Sequence, residues 1–151
     1  GHSPAGGCVL AIMTDYRVLA EGCYKIGLNE VGVGIAMPQG VVEVFRSILG
    51  HRPAERLGLT GALIGPDEAL AIGLVDELAP LEEVESRTQA QLTSWLTLAE
   101  TGQRTTKHFF RKRLVDELRQ SQTVDEKAFI DVWFSEDARA TLAALVQRLR
   151  A

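Results

Sequence analysis

Of the 14 glycines in this 151-residue chain, only Gly102 lies beyond residue 80. Glycine frees the backbone for tight turns and is poorly tolerated inside helices, so the two parts of the chain cannot be built alike. Residues 1–80 alternate short apolar stretches with turns, whereas residues 81–151 carry apolar side chains at helical spacing. The pattern predicts an α/β part over residues 1–80 and a helical region over residues 81–151.

Within the first part, a turn at Pro4 to Gly7 leads into Cys8 to Met13, read as a short buried helix. Tyr16 to Ala20, Tyr24 to Leu28 and Leu74 to Leu78 read as short strands, with a loop over Asn29 to Gly34. Pro38 and Gly50 bracket a periodic stretch, Val41 to Leu49, as Pro near the start and Gly just past the end bracket a helix. A small helix is expected from Pro53, and another after Pro66, where Asp67 and Glu68 sit in the first turn. In the second part, Val84, Thr88, Leu92, Trp95 and Leu96 share one helical face, and Phe110, Leu114 and Leu118 another. Thr123 to Glu126 has the form of a capping box for a helix carrying Phe129, Val132 and Trp133. Ser135 is expected to cap the last helix, where Leu142, Leu145, Val146 and Leu149 form an apolar stripe.

Composition removes several classes. With 16 Lys+Arg against 20 Asp+Glu, the chain has no overall attraction for phosphate backbones, so no nucleic-acid partner is expected. No apolar run approaches the length that spans a bilayer, and no membrane association is expected. Two cysteines, Cys8 and Cys23, do not make a disulfide scaffold and fit a reduced intracellular protein. His2, His51 and His108 lack ligand spacing, so no metal is expected. The opening Gly-His-Ser-Pro has neither the initiating Met nor the basic and apolar regions of a signal peptide.

Two features carry chemistry. Ala5-Gly6-Gly7-Cys8 opens an apolar helix, whose first amides have no internal partner and can donate to an anionic oxygen, as in an oxyanion hole. The same glycines also suit a plain tight turn. Glu30 lies among Gly27, Gly32, Gly34 and apolar neighbours, where a desolvated carboxylate could exchange protons with a carbon acid. A solvated loop glutamate is the alternative.

Gly32-Val33-Gly34-Ile35-Ala36-Met37 lacks the third glycine of a dinucleotide fingerprint, and there is neither a G-x-S-x-G elbow nor a P-loop. Cys8 has no His partner and reads as a buried, inert thiol. Arg104, Lys107 and Arg111 form a basic stripe suited to phosphates, an acidic subunit surface or solvent. Phe109, Phe110, Trp133 and Phe134 suit either an acyl tunnel or an ordinary core.

Together these residues resemble the enoyl-CoA hydratase/isomerase (crotonase) superfamily, and most of all its mitochondrial-type 3,2-enoyl-CoA isomerases. The motifs are Ser3-Pro4-Ala5-Gly6-Gly7-Cys8, Thr14-Asp15-Tyr16-Arg17, Ile26-Gly27-Leu28-Asn29-Glu30, Gly50-His51-Arg52-Pro53-Ala54-Glu55-Arg56, Leu59-Thr60-Gly61 and Glu68 to Asp76. The resemblance implies a (ββα)n spiral core, of which residues 1–80 are the carboxy-terminal part, followed by helices that trimerise the protein and cover the acyl pocket. It implies that Glu30 is the catalytic glutamate, that Gly6 supplies one oxyanion-hole amide, and that Pro4, Ala5, Asn29 and Phe134 bind substrate.

Hydratases of the family carry a second glutamate directly after Gly-Gly-Cys, where this chain has Val9. The resemblance therefore implies an isomerase that moves the double bond of a 3-enoyl-CoA to the 2-trans position, with acyl-CoA as substrate and no separate cofactor. It further implies a homotrimer, in the mitochondrial matrix of a eukaryote or the cytoplasm of a bacterium. It also implies that an amino-terminal region, with much of the coenzyme A pocket and the other oxyanion amide, precedes Gly1. The competing readings are another crotonase chemistry, such as hydration or thioester hydrolysis, and a non-catalytic helical assembly module.

Overall fold

The computed structural model describes residues 1–121 and 124–150. Two short parallel strand pairs organise the first part. Strand β1 (Ser3–Pro4) lies beside β3 (Ile26–Gly27), with Ser3 opposite Ile26 and Pro4 opposite Gly27. Strand β2 (Val18–Ala20) lies beside β4 (Glu77–Ala79), Leu19 being opposite Leu78. Parallel neighbours need a crossover, and helix α1 (Gly6–Ile12) begins directly after β1. Helices α2 (Gln39–Leu49), α3 (His51–Thr60) and α4 (Pro66–Ala71) fill the chain between β3 and β4.

Helix α2 starts after Pro38 and stops at Gly50, whose φ of 77° leaves the helical region. Its buried face, Val41, Val44, Phe45 and Leu49, packs with Cys8 and Ile12 of α1 and with Ile26 and Leu28 in one core. Of the later helices, α6 (Glu100–Ser121) reaches this core with Leu114 and Leu118. The remaining helices are α5 (Val84–Leu96), α7 (Val124–Trp133) and α8 (Glu136–Arg150). Among the described residues no helix is long and apolar enough to cross a membrane.

The strands are shorter than the sequence pattern predicts, for identifiable reasons. Leu74 and Val75 both donate their amides to the Ala69 carbonyl, at 2.8 and 3.2 Å, and so close α4 instead of opening β4. At the start of β2, the Asp76 carboxylate accepts from the Arg17 amide at 2.8 Å, taking the place of a ladder bond. The Lys25 amide is taken by His2 Nδ1 at 3.2 Å, ahead of β3. The stretch at Leu81 opens as a 3₁₀ turn, Leu81–Glu83, before α5 begins.

Ser135 caps α8 as expected, its hydroxyl accepting from the Ala138 amide at 3.2 Å. The predicted capping box depends on Thr123, which lies outside the described residues. The apolar stripes of the second part are largely uncovered: Leu92, Leu96, Val146 and Leu149 are exposed, and so is Phe110 at 85%. The basic stripe of α6 is partly committed. Lys107 and Arg111 both pair with Asp15, in the turn after α1, while Arg104 pairs with Glu100 and Arg113 with Glu117 on α6 itself.

Candidate active site

Because Pro4 pairs with Gly27, the two chemistry-bearing segments of the sequence leave adjacent strands side by side. One runs through Ala5 into α1, and the other through Leu28 and Asn29 to Glu30. Ala5 is pinned on both sides, its amide donating to the Gly27 carbonyl and its own carbonyl accepting from Val9, each at 2.9 Å. Between these bonds it adopts φ 45° and ψ −117°, the one positive φ outside glycine among the described residues. Such a conformation costs an L-residue of order 1–3 kcal/mol. It turns the chain so sharply that Gly6 and Gly7 enter the first turn of α1 with no earlier helical carbonyl to accept from them. Sequence reasoning found Gly6 and Gly7 but had no signal for the strain at Ala5, because alanine gives none.

Glu30 is 7% exposed, and its Oε2 atom is buried without a hydrogen-bond partner. The alternative of a solvated loop glutamate is thereby excluded. Its backbone is firmly held. The Glu30 carbonyl accepts from both the Val33 and Ile35 amides at 3.0 Å, closing a 3₁₀ turn, Val31–Val33, that ends at left-handed Gly34. Asn29, just before it, also keeps a buried and unpartnered Oδ1. Two unpartnered buried acceptors side by side are unusual in a structural loop and suit a place where a ligand completes the bonding.

Cys8 reports how near the two segments are. Its thiol is fully buried and is pushed up to about 12, first by burial and then by the negative charge of Glu30. It is therefore neutral and unreactive, as its apolar neighbours imply. Arg17 also acts on it, weakly in the opposite sense. The Arg17 guanidinium pairs with Asp76 at 3.0 Å, which ties the start of β2 to the residue before β4 and keeps that charge engaged. Val9, one residue further along α1, is partly buried against the core.

Three glycines let other parts of the chain come close to this turn. A Cβ on Gly27 would meet the Ala62 carbonyl at 2.5 Å, and one on Gly61 the Gly32 amide nitrogen at 2.6 Å. A Cβ on Gly34 would meet Thr141 of α8 at 2.8 Å. Pro4, Ala5, Gly6, Asn29 and Glu30 are thus brought together by one strand pair. Phe134 is not part of that group and stands 64% exposed in the turn between α7 and α8. Among the described residues no group of three His, Cys, Asp or Glu side chains is placed to hold a metal ion.

The strand pair that sets a glycine-led helix beside the buried Glu30 belongs to a crotonase-fold protein. Residues 1–151 match the enoyl-CoA hydratase/isomerase family, and the chain belongs to it. It is 36% identical to enoyl-CoA delta isomerase 1, mitochondrial, of Mus musculus, over 99% of this chain and 52% of that protein. It is 26% identical to a crotonyl-CoA hydratase of Syntrophomonas wolfei, over 100% of this chain and 58% of that protein. The crystal structure of human mitochondrial delta3-delta2-enoyl-CoA isomerase superposes with a TM-score of 0.91 at 34% identity, over 99% of this chain and 58% of that one. The chain spans about half the length of the curated relatives it matches.

Proposed function

We propose that this chain carries the proton-transfer centre of an enoyl-CoA isomerase, which converts a 3-enoyl-CoA to the 2-trans isomer in fatty-acid β-oxidation. The observation that carries this reading is the buried carboxylate of Glu30 just beyond β3, whose Oε2 is unpartnered, with Val9 at the position where the family resemblance puts a hydratase's second glutamate. The other buried carboxylate, Glu43 on α2, is engaged by Gln39 and Arg46. One carboxylate can lift a proton from C2 and return one at C4. Positioning and activating water for addition takes two.

In this mechanism the C2–H bonding pair moves into the conjugated system as Glu30 takes the proton, and negative charge gathers on the thioester oxygen. The Gly6 amide donates to that oxygen, where preorganised donors are most effective. The strained, doubly pinned Ala5 sets the direction of that amide. The dienolate then takes the proton back at C4, leaving the double bond between C2 and C3 and Glu30 ionised again.

Pro4, Ala5 and Asn29 would line the thioester end of the substrate, and Phe134 the acyl chain. Coenzyme A enters as part of the substrate, with no separate cofactor. Residues 1–80 would be the core portion and residues 81–151 the region for homotrimer contacts and acyl-pocket cover; the exposed apolar faces of α5, α7 and α8 support that division. In a eukaryote the protein would work in the mitochondrial matrix, the similar isomerases being named mitochondrial, and in a bacterium in the cytoplasm.

The test is Glu30→Gln in the protein that carries this chain. Isomerisation of a 3-enoyl-CoA should fall about a thousandfold, while acyl-CoA binding, followed by calorimetry, stays within a few-fold. Retained turnover would remove Glu30 from the mechanism. If the unmodified protein adds water to a 2-enoyl-CoA faster than it isomerises the 3-enoyl substrate, the chemistry is that of a hydratase.

A further inference from the structure

The carbonyl of Glu30 is held by two amides, those of Val33 and Ile35, each at 3.0 Å. Gly34 lies between these two donors, and its own amide donates to the Val31 carbonyl at 3.1 Å. Any displacement of Gly34 therefore moves both bonds that fix the Glu30 backbone, and with it the origin of the carboxylate. Gly34 is also where a distant part of the chain touches this turn. With φ at +85°, it has no room for a side chain, because a Cβ would stand 2.8 Å from Thr141 Cβ, 3.0 Å from its Oγ1 and 3.2 Å from its Cγ2.

Thr141 is itself well placed to transmit position. Its hydroxyl donates to the Asp137 carbonyl at 2.9 Å, one turn earlier on α8. Ala138, at the i−3 position, is fully buried, so this end of α8 is seated on the rest of the molecule while Val146 and Leu149 further along are exposed. The same turn also meets Gly61, a close approach that glycine alone allows. The turn bearing Glu30 thus touches both the end of α3 and the first turns of α8.

We propose that Thr141 is a positioning residue for Glu30: packed on Gly34, between the two residues whose amides hold the Glu30 carbonyl, it fixes the direction from which the carboxylate meets its substrate. The inference rests on Glu30 being the proton-transfer group. Thr141 itself touches no reacting atom. Its effect is on the rate of proton transfer, where a misplacement of about 1 Å far from the chemistry can cost about 100-fold, and not on acyl-CoA affinity.

The test compares three substitutions in the protein that carries this chain, with Glu30→Gln alongside. Thr141→Leu, too large for the gap at Gly34, should lower kcat for 3-enoyl-CoA isomerisation by on the order of 10- to 100-fold with KM within twofold. Thr141→Ser keeps Cβ and the hydroxyl bonded to Asp137, and should hold kcat within about threefold. Thr141→Ala decides the matter if the leucine variant does not fold. It should lower kcat several-fold at unchanged KM and speed amide exchange at Val33 and Ile35 about tenfold or more, with exchange in α2 unchanged.

Unchanged kcat in both Thr141→Leu and Thr141→Ala overturns the proposal, as does unaltered exchange at Val33 and Ile35. A loss in Thr141→Ala spread over KM, kcat and the exchange of the whole core also overturns it, since that is general destabilisation. If Glu30→Gln remains active, the proton-transfer assignment has failed instead, and the exchange result still reports whether Thr141 holds the turn.

Discussion

Residues 1–79 and residues 81–150 solve different problems with similar helices. In the first region α2 turns its apolar face inward, and Phe45 at its centre is 1% exposed. In the second, α5 through α8 carry weaker apolar stripes than α2, and Ala138 is the one fully buried side chain among their described residues. An amphipathic pattern specifies that a face will be covered, not by what. In the first region the cover is the same chain. In the second, the exposed faces are the surfaces proposed above for subunit contacts and acyl-pocket cover.

The largest expected contrast is between two phenylalanines. Phe45→Ala removes a buried ring from the centre of the core and should destabilise the folded chain by about 3–5 kcal/mol, read from denaturant midpoints. Phe110→Ala, on α6, should change stability of the isolated chain by less than about 0.5 kcal/mol. If the two losses were similar, the second region would have a core of its own and the comparison would fail.

Glycine sharpens the same contrast with a smaller effect of opposite sign in the two regions. Gly27→Ala places a Cβ against the Ala62 carbonyl at a positive φ of 153°, and should destabilise by about 1–3 kcal/mol. Gly102→Ala, in α6, meets nothing within 4 Å. It should stabilise by up to about 1 kcal/mol, because alanine is the better helix former. Thermal unfolding of the two variants side by side checks the sign, and a destabilising Gly102→Ala would mean that α6 is packed where it is described as open.

What the sequence disclosed follows the same division between local and distant physics. Pro38 and Gly50 marked the ends of α2 to within a residue or two because both act through their own backbone. Gly6, Gly7 and Glu30 were legible as candidates because the atoms they contribute are local, but it is the family resemblance that sets them above a plain turn and a solvated glutamate, and that gives Val9 its meaning. The strand ends at Arg17 and Leu74 were not, since each is settled by a bond from elsewhere, the Asp76 carboxylate in one case and the Ala69 carbonyl in the other. Nor was the approach of Thr141 to Gly34, which no spacing or periodicity encodes. The positive φ of Ala5 is hidden for a different reason: the neighbouring bonds impose it on a residue that does not prefer it.

The two regions are joined at a point that titrates, and this gives the smallest effect. Asp15, in the turn after α1, pairs with Lys107 and Arg111 of α6. Burial acts to raise its pKa, but the hydrogen bond from Lys107 and the two positive charges outweigh it, and the carboxyl lies below its ordinary 3.8. The folded state thus holds the ionised form more tightly than the unfolded chain does. Its contribution is complete above pH 3.8 and is lost as the pH falls through the lower, folded value. The side chain is more than a third exposed, so solvent screening limits the effect to a few tenths of a kcal/mol. Comparing the unmodified chain with Asp15→Asn by hydrogen exchange in α6, protection should differ at pH 6 and the difference should shrink toward pH 3. A gap that stayed constant over that range would mean that Asp15 acts through its shape rather than its charge, and that α6 is held to the first region by Leu114 and Leu118 in the core.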